Sequence, residues 1–238
     1  MQGLQWLNGK FDSEVKNENF QYWLKLRPKE KRREPWNWSE QRAHLSRPVT
    51  GVLWFEARAY ARWLRGSIFD GLDPTVTTAL TDYRVSLPTE AQWERAARAK
   101  REGDTMSWHE QRWPWGENET LAATYANVKP SGIGGTSAVG AFPPNDIGLH
   151  DIAGNAWEWM DNAYSPDAKT TSYPGWPDAR PLKTHQDLDK CDRPSLRGGS
   201  WFDLPEQASC SYRLKYLPVD WLNLMGFRVV LSLAENEP

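Results

Sequence analysis

A thiolate is the strongest common nucleophile and the softest metal ligand a protein carries, so the cysteines come first. There are two, Cys191 and Cys210. They form no CxxC pair, and two thiols in 238 residues make no disulfide framework. Three uses stay open from the residues alone: a pair of reduced thiols set in the fold, one disulfide, or a thiolate pair for copper. The four histidines, His44, His109, His150 and His185, show neither i,i+4 spacing nor an HExxH motif, which argues against zinc. The residue in excess is tryptophan, with 15 copies. Its large ring serves as a core anchor or as an anchor on a binding surface.

Charge and hydropathy remove several classes of function. With 29 basic and 31 acidic side chains the net charge is −2, so there is no surplus for the phosphate contacts of a nucleic-acid binder. Mean hydropathy is −0.74. No apolar run approaches the ~18 residues that span a bilayer. An aromatic content of 13% excludes a disordered chain. The start, MQGLQWLNGKF, lacks the pattern of a secretory signal, and the expectation is a cytoplasmic protein with neither nucleic acid nor membrane as partner. No internal repeat or long linker divides the chain, so one domain over 1–238 is expected.

Few regular elements are available to position these residues. Ala57, Tyr60, Ala61 and Leu64 fall at i, i+3, i+4, i+7 and predict a helix ending at Gly66. Thr89 and Gln92 stand in capping-box spacing and open a second helix, with Trp93, Ala96 and Ala97 facing inward. A shorter helix is predicted over Asn17 to Leu24, and the basic run Arg27 to Glu34 reads as a solvated loop. Beyond residue 100, pieces such as WPWGE, PSGIGGTS, FPPNDIG and RGGSW exclude a doubly wound sheet. The pattern is loop-rich with a few short strands, the last over Phe227 to Leu231. Aromatic packing must supply the order that backbone ladders do not.

Taken in order, the motifs PVTGVLWFEARAYARWL, LPTEAQWERAAR, WPWG, YANV, GAFPPNDIGLHDIAGNAWEWMDNAY, RGGSW and GFRVV resemble the formylglycine-generating enzyme (sulfatase-modifying factor) family. EVKNENFQYWL near the start is similar to that family's opening segment. The resemblance implies an α+β fold of the C-type-lectin type, with two main helices and short antiparallel strands. The family's enzymes oxidise a client cysteine with copper held by two thiolates shortly after the GGS motif. Here those two positions hold Asp203 and Ala208, and Cys210 is the only thiol nearby. One thiolate does not make a two-coordinate sulfur site, so no copper is expected and no catalytic residue is assigned. Related iron-dependent sulfoxide synthases carry a histidine-rich bundle that this chain lacks. Two alternatives are carried forward: a copper oxidase pairing Cys210 with an unusual partner such as Cys191, and a fixed interaction or regulatory domain of a larger assembly.

Non-catalytic members of the family include the variable proteins of diversity-generating retroelements, in which adenine-bearing codons near the end of the domain are randomised. Their terminal layout is matched by Arg197 to Trp201, Pro205, Arg213, Pro218 and Gly226-Phe227-Arg228. Mutation of AAC at its adenines yields Phe, Asp, Leu, Tyr and Asn codons; Trp221 would instead need an AGG template. The resemblance thus implies a binding segment of Phe202, Asp203, Leu204, Tyr212, Leu214, Tyr216, Leu217, Trp221, Leu222, Asn223 and Leu224, facing a protein or other macromolecular ligand. Physical chemistry points the same way. Apolar residues without period 2 or 3.6 read as a partner surface, and rigid aromatic rings lose little entropy on binding.

The same resemblance marks Gly148 to Trp159 as a calcium loop. Asp151 and Glu158 would supply carboxylate oxygens and Gly154 and Ala156 carbonyls, a hard-oxygen set suited to one structural Ca²⁺. The alternative is that Glu158 caps backbone N–H groups without a metal. A first family site, after Asn127-Val128, is lost in PSGIGGTSAV. Trp54, Trp63, Trp93, Trp115, Trp157, Trp159 and Trp201 lie in family segments and are assigned to scaffold, leaving Trp221 for binding.

Overall fold

The computed structural model describes residues 34–68, 75, 78, 82–164, 193–218 and 220–233. The predicted helix over Asn17 to Leu24, the basic run up to Arg33, and Cys191 lie outside these residues. In chain order the elements begin with a single turn, α1 (Trp38–Gln41), and the long helix α2 (Trp54–Ile68). Strand β1 (Tyr83–Ser86) leads into α3 (Glu90–Arg98), and a hairpin follows, β2 (Ala99–Glu102) and β3 (Thr105–Trp108). After the short α4 (Ala122–Tyr125) come β4 (Trp157–Ala163), β5 (Pro194–Arg197), β6 (Leu214–Lys215), β7 (Met225–Gly226) and β8 (Val230–Leu233). The central sheet has the order β6-β5-β4-β7, with β7 parallel to β4 and the other pairs antiparallel. This is the low-regularity α+β fold expected. No described helix is long and apolar enough to cross a membrane.

Helix α2 buries Ala57 and Ala61 as its spacing predicts, but Tyr60 is exposed and meets the Phe227 ring at 5.5 Å. Gly66 does not end it. An interior glycine costs a helix about 1 kcal/mol and is no stop signal by itself. The capping box of α3 forms as expected: Gln92 N–H donates to Thr89 Oγ1 at 3.2 Å, and Thr89 N–H to Gln92 Oε1 at 2.9 Å. Its inner face differs from the prediction. Trp93 and Ala97 are buried, yet so are Glu90, Glu94 and Arg98, while Ala96 is half-buried. The predicted strand over Phe227 to Leu231 is also corrected. Met225 and Gly226 join the central sheet, Val230 to Leu233 pair with β1, and residues 227–229 cross between the two.

Tryptophan holds the loops. Trp54, Trp93, Trp113, Trp157 and Trp159 are buried, and each indole N–H donates to a group distant in sequence. Trp54 reaches the Met160 carbonyl at 2.8 Å, Trp159 the Val52 carbonyl at 3.1 Å, and Trp113 the Pro205 carbonyl at 2.7 Å. Trp93 donates to Glu158 at 2.7 Å and Trp157 to Asp203 at 2.9 Å. Each ring buries apolar area while its one polar atom is satisfied.

The charged face of α3 meets the start of the C-terminal segment. Arg197, with no exposed surface, bonds Glu94 and the carbonyls of Cys210 (2.6 Å), Ser211 (3.1 Å) and Tyr212 (3.2 Å). Arg213 grips both carboxylate oxygens of Glu90, and Arg98 Nε donates to Glu94 at 2.8 Å. Burial pushes the Glu90 carboxyl up, but hydrogen bonds from Arg213 and the charges of Arg197 and Arg213 outweigh it and hold Glu90 below the usual range. Removing one partner of such a network leaves a charge buried and unpaired. Arg197→Ala is therefore expected to cost about 3–5 kcal/mol, read as a fall in the urea midpoint.

Asp161 behaves oppositely. It is almost fully buried, and burial pushes its carboxyl up from 3.8 to about 6 against the pull of Arg58, whose Nε lies 2.8 Å away. A carboxyl raised on folding supports stability below its unfolded pKa and loses that support as pH rises through the folded one. Relative to the parent, Asp161→Asn should gain on the order of 1–3 kcal/mol between pH 4 and 7. Urea unfolding across that window checks it; a pH-independent difference would contradict the assignment.

Candidate functional site

After β5 the chain doubles back through Gly198 and Gly199, both at positive φ. A Cβ on Gly199 would lie 2.9 Å from the Ala208 Cα, so glycine is required for this approach. The turn that follows is organised by Asp203. Its Oδ2 accepts from the Trp157 indole and the Ser200 N–H, each at 2.9 Å, and from the Ser200 hydroxyl. The Asp203 carbonyl accepts the Lys129 N–H at 2.8 Å. Ala208 is completely buried with Ala122, Ala126, Val128 and Ala153.

Cys210 is completely buried with Trp93, Ala97, Ile152 and Met160, its Sγ 3.8 Å from the Ala97 carbonyl. Burial pushes its thiol up to about 12. It stays neutral at ordinary pH and is a poor nucleophile and metal ligand. Of the two positions where the resemblance would place copper-binding thiolates, one is a hydrogen-bond acceptor and the other a methyl group in a closed core.

The residues proposed for binding separate into three groups. Phe202, Leu204, Leu222 and Asn223 are exposed, the first two at 57% and 54%. Phe202 stands edge-on to Trp201 at 5.7 Å, with the Lys129 ammonium 5.7 Å from its ring. Leu217 and Trp221 are half-buried, and Trp221 leans on Trp36 at 4.7 Å. Tyr212, Leu214, Tyr216 and Leu224 are half-buried against the cluster of Trp54, Trp157, Trp159 and Leu196, while Asp203 is turned inward as described. The eleven positions therefore do not share one open face. Trp36 and Lys129 complete the exposed part, and nothing in their local sequence distinguishes them; only the fold brings them there.

The loop Gly148 to Trp159 was tested against a calcium ion by its donor atoms. Arg228 lies against Glu158, one of the four expected ligands. Its guanidinium contacts both Glu158 oxygens at 2.7 Å and the carbonyls of His150 and Asp151 at 3.1 Å. Glu158 also takes the Trp93 indole, and Asp151 Oδ2 accepts the Gly140 N–H at 2.8 Å. The Gly154 carbonyl accepts the Ala156 N–H at 2.9 Å, and Ala156 itself is buried. The positive charge that a divalent ion would bring to the Glu158 carboxylate is already supplied by arginine. With Glu158 committed to Arg228 and Trp93, the expected set of Asp151, Gly154, Ala156 and Glu158 has no free Glu158 carboxylate for Ca²⁺ in this arrangement. Its metal-like spelling has another cause: Asp151, Gly154 and Asn155 all adopt left-handed backbone, which Gly, Asn and Asp tolerate best. The signal in the sequence was the arginine of GFRVV.

Residues 7–233 match the profile described as "Sulfatase-modifying factor enzyme 1-like domain". The chain is 31% identical over 194 residues to the "Inactive C-alpha-formylglycine-generating enzyme 2" of Bos taurus, covering 79% of this chain and 51% of that protein. It is 34% identical over 165 residues to the "Formylglycine-generating enzyme" of Mycobacterium tuberculosis, covering 67% and 48%. Among solved structures, "Treponema denticola variable protein 1" superposes with a TM-score of 0.58 at 26% identity, covering 77% of this chain and 70% of that one. The chain spans about half the length of these two curated relatives. The matches include enzymes and an inactive member.

If Arg228 is the resident cation of the loop, thermal midpoints in excess calcium and in EDTA should agree within about 1 °C. Arg228→Ala should cost about 2–3 kcal/mol by leaving Glu158 unpaired. A calcium-dependent rise of several degrees in the parent chain would contradict both.

Proposed function

The chain belongs to the sulfatase-modifying factor enzyme 1-like family, and from that premise we propose that it is a non-catalytic member that binds a macromolecular ligand through its C-terminal segment. The observation that carries this reading is Asp203. At the first position expected for a copper thiolate stands a carboxylate consumed by three internal hydrogen bonds, and the second position, Ala208, has no ligating atom. The likeness to an inactive bovine relative and to a variable protein supports it.

In this reading the exposed Phe202, Leu204, Leu222 and Asn223 meet the ligand, backed by Trp221 and Leu217. Tyr212, Leu214, Tyr216 and Leu224 set the posture of the segment from below. Two of the exposed side chains are large and apolar within three residues of each other, a pattern that favours a partner surface. The segment is diversified by adenine-directed mutagenesis, as the layout of its fixed prolines, glycines and arginines suggests.

Two measurements test this. The parent chain, with both cysteines present, titrated with Cu(I) should show no tight stoichiometric site, and in a Cys191→Ser variant Cys210 should react with a thiol reagent only after unfolding. One tight copper equivalent with oxidation of a cysteine peptide would restore the oxidase reading. In the coding DNA, the codons for Phe202, Asp203, Leu204, Tyr212, Leu214, Tyr216, Leu217, Leu222, Asn223 and Leu224 should differ from a nearby near-copy only at template adenines. Substitutions at other bases would remove diversification while leaving the binding role intact.

A further inference from the structure

Beside the exposed part of the C-terminal segment lies a recess of about 310 Å³ lined by regions far apart in sequence. One wall is the loop that runs from Trp36 through α1 to Thr50; the rest of the lining is Gly134 to Thr136 with Trp201 and Asn223. The loop is held in place. The Gln41 side chain both donates to the Thr50 carbonyl (3.0 Å) and accepts the Thr50 N–H (2.9 Å), and the Val139 N–H donates to the Ser46 carbonyl at 2.7 Å. Trp36 is fixed by its N–H to the Gly51 carbonyl at 3.1 Å and by the Trp221 ring.

Arginines outnumber carboxylates along this wall. Arg42 and Arg47 are exposed, line the recess and make no ion pair among the described residues; His44 lies between them. The lining carboxylate, Glu40, already accepts from the Asn37 side chain. Two free guanidinium groups beside the indoles of Trp36 and Trp201 form a surface that favours a carboxylate flanked by an apolar or aromatic group. The recess is continuous with the exposed patch through the adjacent pairs Trp201–Phe202 and Leu222–Asn223, so an occupant that fills both is longer than a small anion.

We propose that this recess receives an acidic segment of a partner polypeptide, its carboxylate held by Arg42 and Arg47 while neighbouring apolar side chains lie on Trp36, Trp201 and Phe202. This rests on the binding-module reading above and names the ligand chemistry. It also gives the ligand site a constant half, the loop 36–50, outside the segment proposed to vary. The constant half supplies charge and the other supplies shape.

The test is selection of a random peptide library on the immobilised full-length chain, followed by affinity measurement of the enriched peptides. Enriched sequences should carry Asp or Glu next to an apolar ring. Their affinity should fall at least about tenfold in an Arg42→Ala/Arg47→Ala double variant, and should weaken as salt rises. The exposed position of both arginines leaves the fold of the double variant intact, and an Arg101→Ala/Arg112→Ala double variant, at two exposed arginines outside the recess lining, serves as a charge-matched control. Peptides lacking acidic residues, or no enrichment over the double variant, would overturn the proposal. Free glutamate binding as tightly as the peptides would overturn the polypeptide assignment. Peptides that lose affinity on Phe202→Ala or Leu222→Ala but not on the arginine changes would keep the binding module and discard the acidic partner.

Discussion

The path of the chain from Cys210 to Tyr212 depends on one buried arginine. Arg197 spans from the carboxylate of Glu94 on α3 to three successive carbonyls, those of Cys210, Ser211 and Tyr212. The two strands that follow those residues, β6 and β7, have only two residues each, so ladder hydrogen bonds are too few to hold the stretch. An ion network does that work instead, with Glu90 and Arg213 closing it from the other side. Charges at 0% exposure are expensive unless partnered, and here Glu94 and three carbonyls partner the guanidinium. The backbone that carries the neighbouring exposed side chains is thereby anchored to α3.

A second principle repeats across the domain. Where strands are short, an indole N–H reaches across to another segment, and five buried tryptophans link pieces from Val52 to Pro205. The composition pointed to this use before any contact was known. Trp54, Trp93, Trp157 and Trp159 lie where the motif order puts them. Trp113 completes the set, whereas Trp63, Trp115 and Trp201 are only half-buried and make the rim of the scaffold.

What could be read from the residues follows what depends on local spacing. The capping box of α3 is a three-residue pattern and was legible; so was the apolar face of α2. The charged face of α3 was not. Glu90 and Glu94 stand one turn apart, a spacing that normally means solvent, and only partners more than 100 residues away turn that face into core. The last strand failed for the same reason: apolar alternation cannot report that residues 227–229 cross from one sheet to another. At the candidate site, the motif order located the segment, but exposure of each side chain is a tertiary property. Leu204 and Leu214 are identical in type, ten positions apart; one is open to solvent and the other rests on the core. In the Gly148 to Trp159 loop, left-handed Asp and Asn imitate a ligand set, and the cation that closes it comes from Arg228, 70 residues beyond Glu158.

The turn at Asp203 has a consequence for what this chain can become. Converting Asp203 to cysteine would strip the Trp157 indole and the Ser200 amide of their acceptor before any second sulfur existed to share a metal. Placing a sulfur at Ala208 would put a larger side chain into a core closed by Ala122, Ala126, Val128 and Ala153. Each single step towards a two-thiolate centre therefore loses stability and gains no chemistry. The turn thus ties the hydrogen bonds of the Trp157 indole and the Ser200 amide to a carboxylate at position 203.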